Sequence, residues 1–517
     1  MRMTNKIMQN NSLYNINNNK VLQDKLSTQM STQKKLTRPS DDPVVAIRAL
    51  RLRTSVSEIS QFYEKNAPDA ESWLKVTEEA LGTGASVITD LVKQATKGAN
   101  KDLTTEDLDI LLTQMKNLRD EYYSTGNVDY AGRYVFTGYR TDTTLSFTEE
   151  IEEQNPQPVY SITEQLKIGD FDSINYTDSG VLAGISQNNY TQTQYEKVVE
   201  QDVLNKDIYR IRLAYDKLSS GVTPTISPAL QDAGGNAVGV TTVTSADAAY
   251  RQIANAGADE MKMVFCSETG EILLSDAAYD KLENSVTTDQ EIRITYTKDS
   301  WVNGDLRPEH YFACTATTQE AGGPVTVNYN AEYLNGEEES QIIEYDVGYN
   351  QAIRVNTTAR EAFTHDLDRD IDDMEVLMTS LSEITDTKAQ LEKVKEGMSE
   401  DDPDYDLVTR QLDAANKAYD YVRESVHALF EKTITRMQGH LNDANIAVTD
   451  NGTRSSRLEL ISNRLMEQKT TFRTLQSENE DVDITEVAIQ LTSTELTYEA
   501  ALMATGKIMQ TSLMNYI

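Results

Sequence analysis

The stretch ITEVAIQLTSTELTYEAALMATGKIMQTSLMNYI, residues 484–517, has the periodicity of an amphipathic helix. Starting from Ile484, its apolar side chains Val487, Leu491, Tyr498, Ala501, Leu502, Ile508, Met509 and Tyr516 fall at helical spacing, which places them on one face. The opposite end, Met1–Leu36, contains no Gly or Pro and spaces Met3, Ile7, Leu13, Val21, Leu22, Leu26 and Met30 in the same manner. It carries Arg2, Lys6, Lys20, Lys25, Lys34 and Lys35 against Asp24 alone, whereas the C-terminal stretch sets Glu486, Glu495 and Glu499 against Lys507. Two helices of opposite charge can pair, yet each apolar stripe is wider than one thin partner covers, so a face is left for other copies of the chain. The expected assembly interface is Met3, Ile7, Leu13, Val21, Leu22, Leu26, Ile484, Val487, Leu491, Tyr498, Leu502, Ile508 and Met509.

With 517 residues the chain should hold two to four domains, and a net charge of −35 argues against nucleic acid as a partner. No apolar run approaches eighteen residues, so no membrane span is expected. The start lacks an apolar core followed by a small-residue cleavage site, so a cleaved secretory signal is not expected either. Cys266 and Cys314 are too few for a disulfide framework or a four-ligand zinc site and should be free.

The outer thirds share one texture and the middle has another. After the first helix, residues 1–40, Thr37-Arg38-Pro39-Ser40-Asp41-Asp42-Pro43 breaks the chain, with Ser40 or Asp41 expected to cap the next helix and Pro43 in its first turn. Residues 41–140 then read as the N-terminal half of a helical bundle, with seams through Trp73–Leu91 and Leu108–Tyr122. Residues 141–358 form a variable β-rich insertion of short alternating runs, such as Ile292–Tyr296 and Val325–Tyr329, with turns at Thr269-Gly270 and Asn335-Gly336. Residues 359–480 supply the other half of the bundle, through seams at Leu412–Leu429 and Leu458–Leu475, and residues 481–517 the C-terminal coiled-coil helix. The fold class expected is mainly α, a long-helix bundle with a terminal coiled coil from both chain ends and a β-rich (α+β) domain inserted. Since the insertion should leave and re-enter at adjacent points, replacing residues 145–355 by a short flexible linker should still allow ring formation.

The acidic run Asp366, Asp368, Asp370, Asp372 and Asp373 suggests a calcium loop, but Ile371 and Leu377 stand where the loop needs Gly and Glu. The helical seam Leu367, Ile371, Met374, Met378 and Leu381 runs through the same residues, so a solvated helix face is expected instead. His310, His365, His427 and His440 are never at ligand spacing, and the last two should lie at the rim of a helix seam. There is no nucleophile elbow, phosphate-binding Gly loop or paired metal motif, so no catalysis, cofactor or metal is expected. Asn-x-Thr triplets at Asn175, Asn189, Asn356 and Asn451 carry little weight in so Thr-rich a chain.

Four segments carry a family resemblance. They are Met30-Ser31-Thr32 leading to Pro39-Ser40-Asp41-Asp42-Pro43, Gly132-Arg133-Tyr134-Val135-Phe136-Thr137-Gly138-Tyr139, Asp481-Val482-Asp483-Ile484-Thr485-Glu486, and the ending Lys507–Ile517. Together they resemble the bacterial flagellin superfamily, and within it the hook-associated group found where hook meets filament. The filament subunit, flagellin, is the alternative; Pro43-Val44-Val45 after the paired aspartates, where flagellins usually carry small residues, separates the two. The resemblance spans roughly residues 1–140 and 359–517. It implies a secreted structural subunit of the flagellum that assembles into a ring, with a second hook-associated protein and hook or flagellin subunits as neighbours. It also implies type III export without a cleaved signal, with a cytosolic chaperone on the C-terminal helix. Seven Asn and Gln residues among positions 9–19 weaken the first helix alone, so the ends should order on assembly.

Overall fold

A computed structural model describes residues 5–231, 235–285, 291–320, 322–336 and 341–514. In chain order the helices are α1 (Asn5–Thr32), α2 (Pro43–Gln61), α3 (Ala67–Gly98), α4 (Thr105–Thr125), α5 (Ala246–Ala254), α6 (Asp276–Ser285), α7 (Ala359–Ala362), α8 (Asp366–Glu396), α9 (Tyr405–Glu480) and α10 (Ile484–Met514). The strands are β1 (Asp129–Tyr130), β2 (Arg133–Tyr134), β3 (Val159–Leu166), β4 (Asp172–Asp178), β5 (Leu204–Arg212), β6 (Thr225–Ser227) and β7 (Val240–Val243), followed by β8 (Met263–Cys266), β9 (Glu271–Leu274), β10 (Ile292–Lys298), β11 (Ala313–Glu320), β12 (Gly323–Tyr329), β13 (Glu344–Gly348) and β14 (Gln351–Arg354). The fold is therefore mainly helical with a β-rich region inserted in its middle. The two seams read in residues 412–475 belong to a single 76-residue helix, α9. Among the described residues, no helix is long and apolar enough to cross a membrane, and no group of three or more His, Cys, Asp or Glu is placed to hold a metal ion.

The chain divides into two compact units. The first comprises residues 1–71, 345–353 and 456–517. Here α2 starts at Pro43, and Asp42 rather than Ser40 or Asp41 caps it, accepting from Val44 N at 3.0 Å and Val45 N at 3.2 Å. Proline at the first helical position fixes the capping residue as the one before it, while Asp41 turns back to accept from Arg38 N. Between α2 and α3 a single π-helical turn, Phe62–Asn66, inserts into an otherwise continuous helix. The β13–β14 hairpin packs there, with Asn66 Nδ2 donating to Asp346 O at 2.7 Å and the Tyr349 ring edge-on to Phe62.

The second unit comprises residues 72–344 and 354–455. The chain leaves its helices and comes back at adjacent points, since Ala359 N donates to Phe136 O at 2.8 Å. One sheet has the order β12-β11-β3-β10-β6 and the other β4-β5-β9-β8-β7. Ile162, Ile292, Ile294 and Tyr296 from the first meet Ile211, Phe265, Ile272 and Leu274 from the second, with Trp301 in the same core. On its other face the second sheet buries Ile208, Val264, Cys266 and Leu273 against Ala249, Tyr250 and Ile253 of α5. That double coverage explains why β8 and β9 read MVFC and EILL, without alternation. Gly270 closes the β8–β9 hairpin at φ +64°, and a Cβ there would collide with the Tyr215 carbonyl. Asn335-Gly336 does not join two strands directly; it ends a 3₁₀ turn, Ala331–Asn335, with Gly336 left-handed.

The acidic run at the start of α8 is not the solvated face that its sequence suggested. Asp370 and Asp373 are buried because β5 brings Arg210 and Arg212 over them. Arg210 donates to both oxygens of Asp373 at 2.8 and 2.5 Å and also meets Glu271 and Asp172. Arg212 reaches Asp370 at 2.6 Å and Asp373 at 3.1 Å, and from α9 Arg436 reaches Asp370 at 2.7 Å. Burial alone would raise the Asp373 pKa, but Arg210 and then Arg212 hold it well below the usual carboxylate range. Further along the helices, Leu182, Ile185, Tyr195, Val198 and Val203 from the segment between β4 and β5 cover Ile384, Leu391, Val408 and Leu412 of α8 and α9.

Cys266 and Cys314 are free and buried. His427 is buried rather than at a rim, and His440 lies 3.3 Å from Asp370. Asn356 and Asn451 are fully buried, donating to the carbonyls of Gln341 and Leu74, so neither can accept a glycan in the folded chain.

Glu164 of β3 provides a pH test. Burial pushes its carboxyl up to about 7, against the opposing hydrogen bonds from Tyr296 and Ala214 N. A folded pKa above the unfolded one contributes stability that is present below pH 4.5 and lost as pH rises through 7. Glu164→Gln should remove that loss, worth on the order of 2–3 kcal/mol between pH 4 and 8. Melting curves of both proteins across this range check it, and parallel pH profiles would contradict it.

Candidate assembly surface

Within the first unit, α1 and α10 run antiparallel along one another, with Gln23 Nε2 3.4 Å from Glu495 Oε1. At their open ends the two connecting segments form a short clasp. Lys35 N donates to Glu480 O at 2.7 Å and Val482 N to Gln33 O at 3.1 Å, an antiparallel bridge between Lys34 and Asp481. Lys34 is ion-paired with Asp481, and Arg53 holds both oxygens of Glu480 at 2.7 and 2.6 Å. The hydrogen bond from Arg53 holds Glu480 below the usual carboxylate range, and Lys34 does the same for Asp481.

The faces that meet coincide with the apolar stripes only in part. In α10 the inward residues are Val487, Leu491, Thr494, Tyr498, Ala501 and Thr505, which alternate steps of four and three. In α1 they are Gln9, Ser12, Ile16, Asn19, Gln23 and Leu26, at steps of three and four. Both sets keep a heptad register, but half of their positions are polar. Tracking apolar residues alone therefore left out Thr494 and Thr505, and the stripe chosen for α1 passed over Ile16; the three–four spacing would have found all three.

Of the expected interface residues, Leu26 and Val487 are buried and Leu491 and Tyr498 are half-buried, all on this intramolecular seam. Ile7, Leu13, Val21, Leu22, Ile484 and Leu502 are exposed. Met3 lies outside the described residues, as do the side chains of Ile508 and Met509. Further apolar residues face outward that the stripe did not include: Tyr14, Ile489, Leu496 and Met503, with Ile489 and Met503 each 67% exposed. Covering a side chain of this size is worth about 1.5–3 kcal/mol, so several together are a strong drive to association.

Because the α1–α10 seam is half polar, limited proteolysis of the free monomer should cut first before about Leu36 and after about Asp483. Resistance of both ends in a demonstrably monomeric sample would contradict this.

The model of the bacterial flagellin N-terminal helical region matches residues 3–141. Over 151 residues the chain is 31% identical to flagellar hook-associated protein 3 of Escherichia coli, covering 29% of this chain and 47% of that protein. Over 143 residues it is 31% identical to flagellar hook-associated protein 3 of Salmonella typhimurium, covering 28% of this chain and 45% of that protein. The chain thus spans about half the length of the curated relatives it matches. Among solved structures, Xanthomonas campestris FlgL aligns over 82% of this chain and 99% of that one, at 11% identity and a TM-score of 0.30, too low to bear on the fold. The likeness to the bacterial flagellin family thus lies in the N-terminal helical region, residues 3–141.

Proposed function

We propose that the chain is a structural, non-catalytic subunit of the bacterial flagellum that forms the junction between hook and filament. The observation that carries this is the paired terminal helices, whose outward apolar side chains, from Ile7 to Met503, have no partner within the seam. They stand in a chain whose N-terminal region is of flagellin type and whose relatives are named hook-associated protein 3. Copies of the chain would pack these faces together into a ring, with a second hook-associated protein on one side and hook or filament subunits beyond. A half-polar seam suits a building block exported unfolded by a type III route without a cleaved signal, its last helix held by a cytosolic chaperone until release. The protein would then reside outside the cell, in the flagellum.

Deleting the gene in its own bacterium tests this reading. Cells should retain hooks, lose attached filaments and shed filament protein into the medium, and the plasmid-borne chain should restore attachment. Filaments that stay attached without the chain would overturn the junction role, and loss of filament protein itself would favour the flagellin reading.

A further inference from the structure

The helix pair of the first unit has two outer edges, and each carries a heptad of its own. On α1, Ile7, Tyr14 and Val21 recur every seven residues, and on α10 Ile489, Leu496 and Met503 do the same. All six are between 49% and 71% exposed. The α1–α10 seam uses the positions two and five residues after each of them, from Gln9 and Ser12 on α1 and from Leu491 and Thr494 on α10. At 3.6 residues per turn, those positions lie on the opposite side of the helix. The α1 stripe therefore points away from α10 and the α10 stripe away from α1, so the pair presents two apolar edges in opposite directions.

The two edges differ in charge. Lys6, Lys20 and Lys25 are exposed within one turn of the α1 stripe, where Asp24 is the acid of that helix. Glu486, Glu495 and Glu499 are exposed within one turn of the α10 stripe, against Lys507. Among the described residues none of these three lysines and three glutamates is ion-paired within the chain; Glu495 accepts from Gln23 at 3.4 Å and Glu486 from Gln490 at 3.0 Å. Two-fold contacts, α1 on α1 and α10 on α10, would set lysine against lysine and glutamate against glutamate. An unlike contact sets each against its opposite.

We propose that the α1 edge of one copy packs on the α10 edge of the next in a head-to-tail contact. This rests on the ring reading above and assigns the faces that meet. Such a contact uses a different face on each side, so every copy binds two neighbours and the array closes as a ring or continues as a helix.

Sedimentation of the purified full chain over a concentration series tests this, and the parent should associate beyond a dimer. The triple variant Lys6→Glu, Lys20→Glu, Lys25→Glu makes both edges acidic, and Glu486→Lys, Glu495→Lys, Glu499→Lys makes both basic. Each should require on the order of tenfold more protein to associate. The second variant is less negatively charged than the parent, so general repulsion predicts stronger association for it. An equimolar mixture of the two should recover the parent's association, because each edge then finds its opposite on another chain while the mismatch inside each chain remains. Should a triple variant melt early, Lys20→Glu and Glu495→Lys alone give the same comparison with smaller losses. A parent that stays monomeric, variants that associate as well as the parent, or a mixture no better than its components would overturn the proposal. Filament attachment plays no part in this readout. Association of the expected pattern by a chain whose deletion leaves filaments attached would remove the junction role and keep the contact.

Discussion

Asp373→Ala should destabilise the second unit by about 3 kcal/mol, because it takes the bidentate partner from a buried guanidinium. Arg210 is 1% exposed and would keep Glu271 and Asp172 but lose its two bonds to Asp373. Arg212 would lose its second acceptor. Asp366→Ala removes a carboxylate from the same turn, but this one is solvent-exposed and 3.3 Å from Arg212, so its loss should cost no more than about 1 kcal/mol. Denaturant unfolding of the three proteins gives the comparison, and equal losses would show the network to be slack. The same geometry changes the expectation for the insertion. Replacing residues 145–355 by a linker would remove Arg210 and Arg212, leaving Asp370 and Asp373 with Arg436 and His440. It would also strip Leu182, Ile185, Tyr195, Val198 and Val203 from α8 and α9. The truncated chain should therefore fail to fold its second unit, in contrast to what the change of sequence texture near Arg140 and Ala359 suggested.

The reason for that contrast is physical. Periodicity reports contacts between residues three and four apart, and it located every long helix and the strands β10 and β12. Arg210 and Asp373 are 163 positions apart, and no local pattern connects them. A carboxylate on a helix looks the same in sequence whether water or a guanidinium faces it, so Asp370 and Asp373 read as solvated. The segment between β4 and β5 has no long regular element, and its five apolar anchors follow no period. At the termini the difficulty is of another kind. The apolar residues there lie on more than one face, and the inward face is marked as much by Thr494, Thr505, Asn19 and Gln23 as by Leu26 and Val487. Hydrophobicity pointed to surplus apolar surface that includes Ile7, Leu13, Val21, Leu22, Ile484 and Leu502, but it did not separate these from Leu26 and Val487 on the seam.

Under the proposed junction role, Leu502→Asp should abolish incorporation into hook–filament junctions while leaving the free chain's melting temperature within about 2 °C of the parent. Leu502 is 45% exposed and lies beside the seam, not in it, so in the monomer the new carboxylate stays hydrated. Buried against a neighbouring copy it would lose that hydration, at a cost of several kcal/mol unless a cation pairs with it. Every copy in the assembly would carry that penalty at each such contact, so the penalties add up along the interface. Thr505 is no polar-edge control: it is buried on the α1–α10 seam, and its hydroxyl donates to Ala501 O at 2.8 Å. A carboxylate there would disturb the helix pair itself. Thr497→Asp is the proper control, since Thr497 is exposed and no apolar residue is lost. Leu465→Asp, at a position 3% exposed on α9, sets the scale for damage to the fold. Junction incorporation scored in cells, alongside melting of the purified monomers, separates the outcomes. If Leu502→Asp melted as early as Leu465→Asp, α10 would belong to the monomer's own core and its outward face could not be the assembly surface.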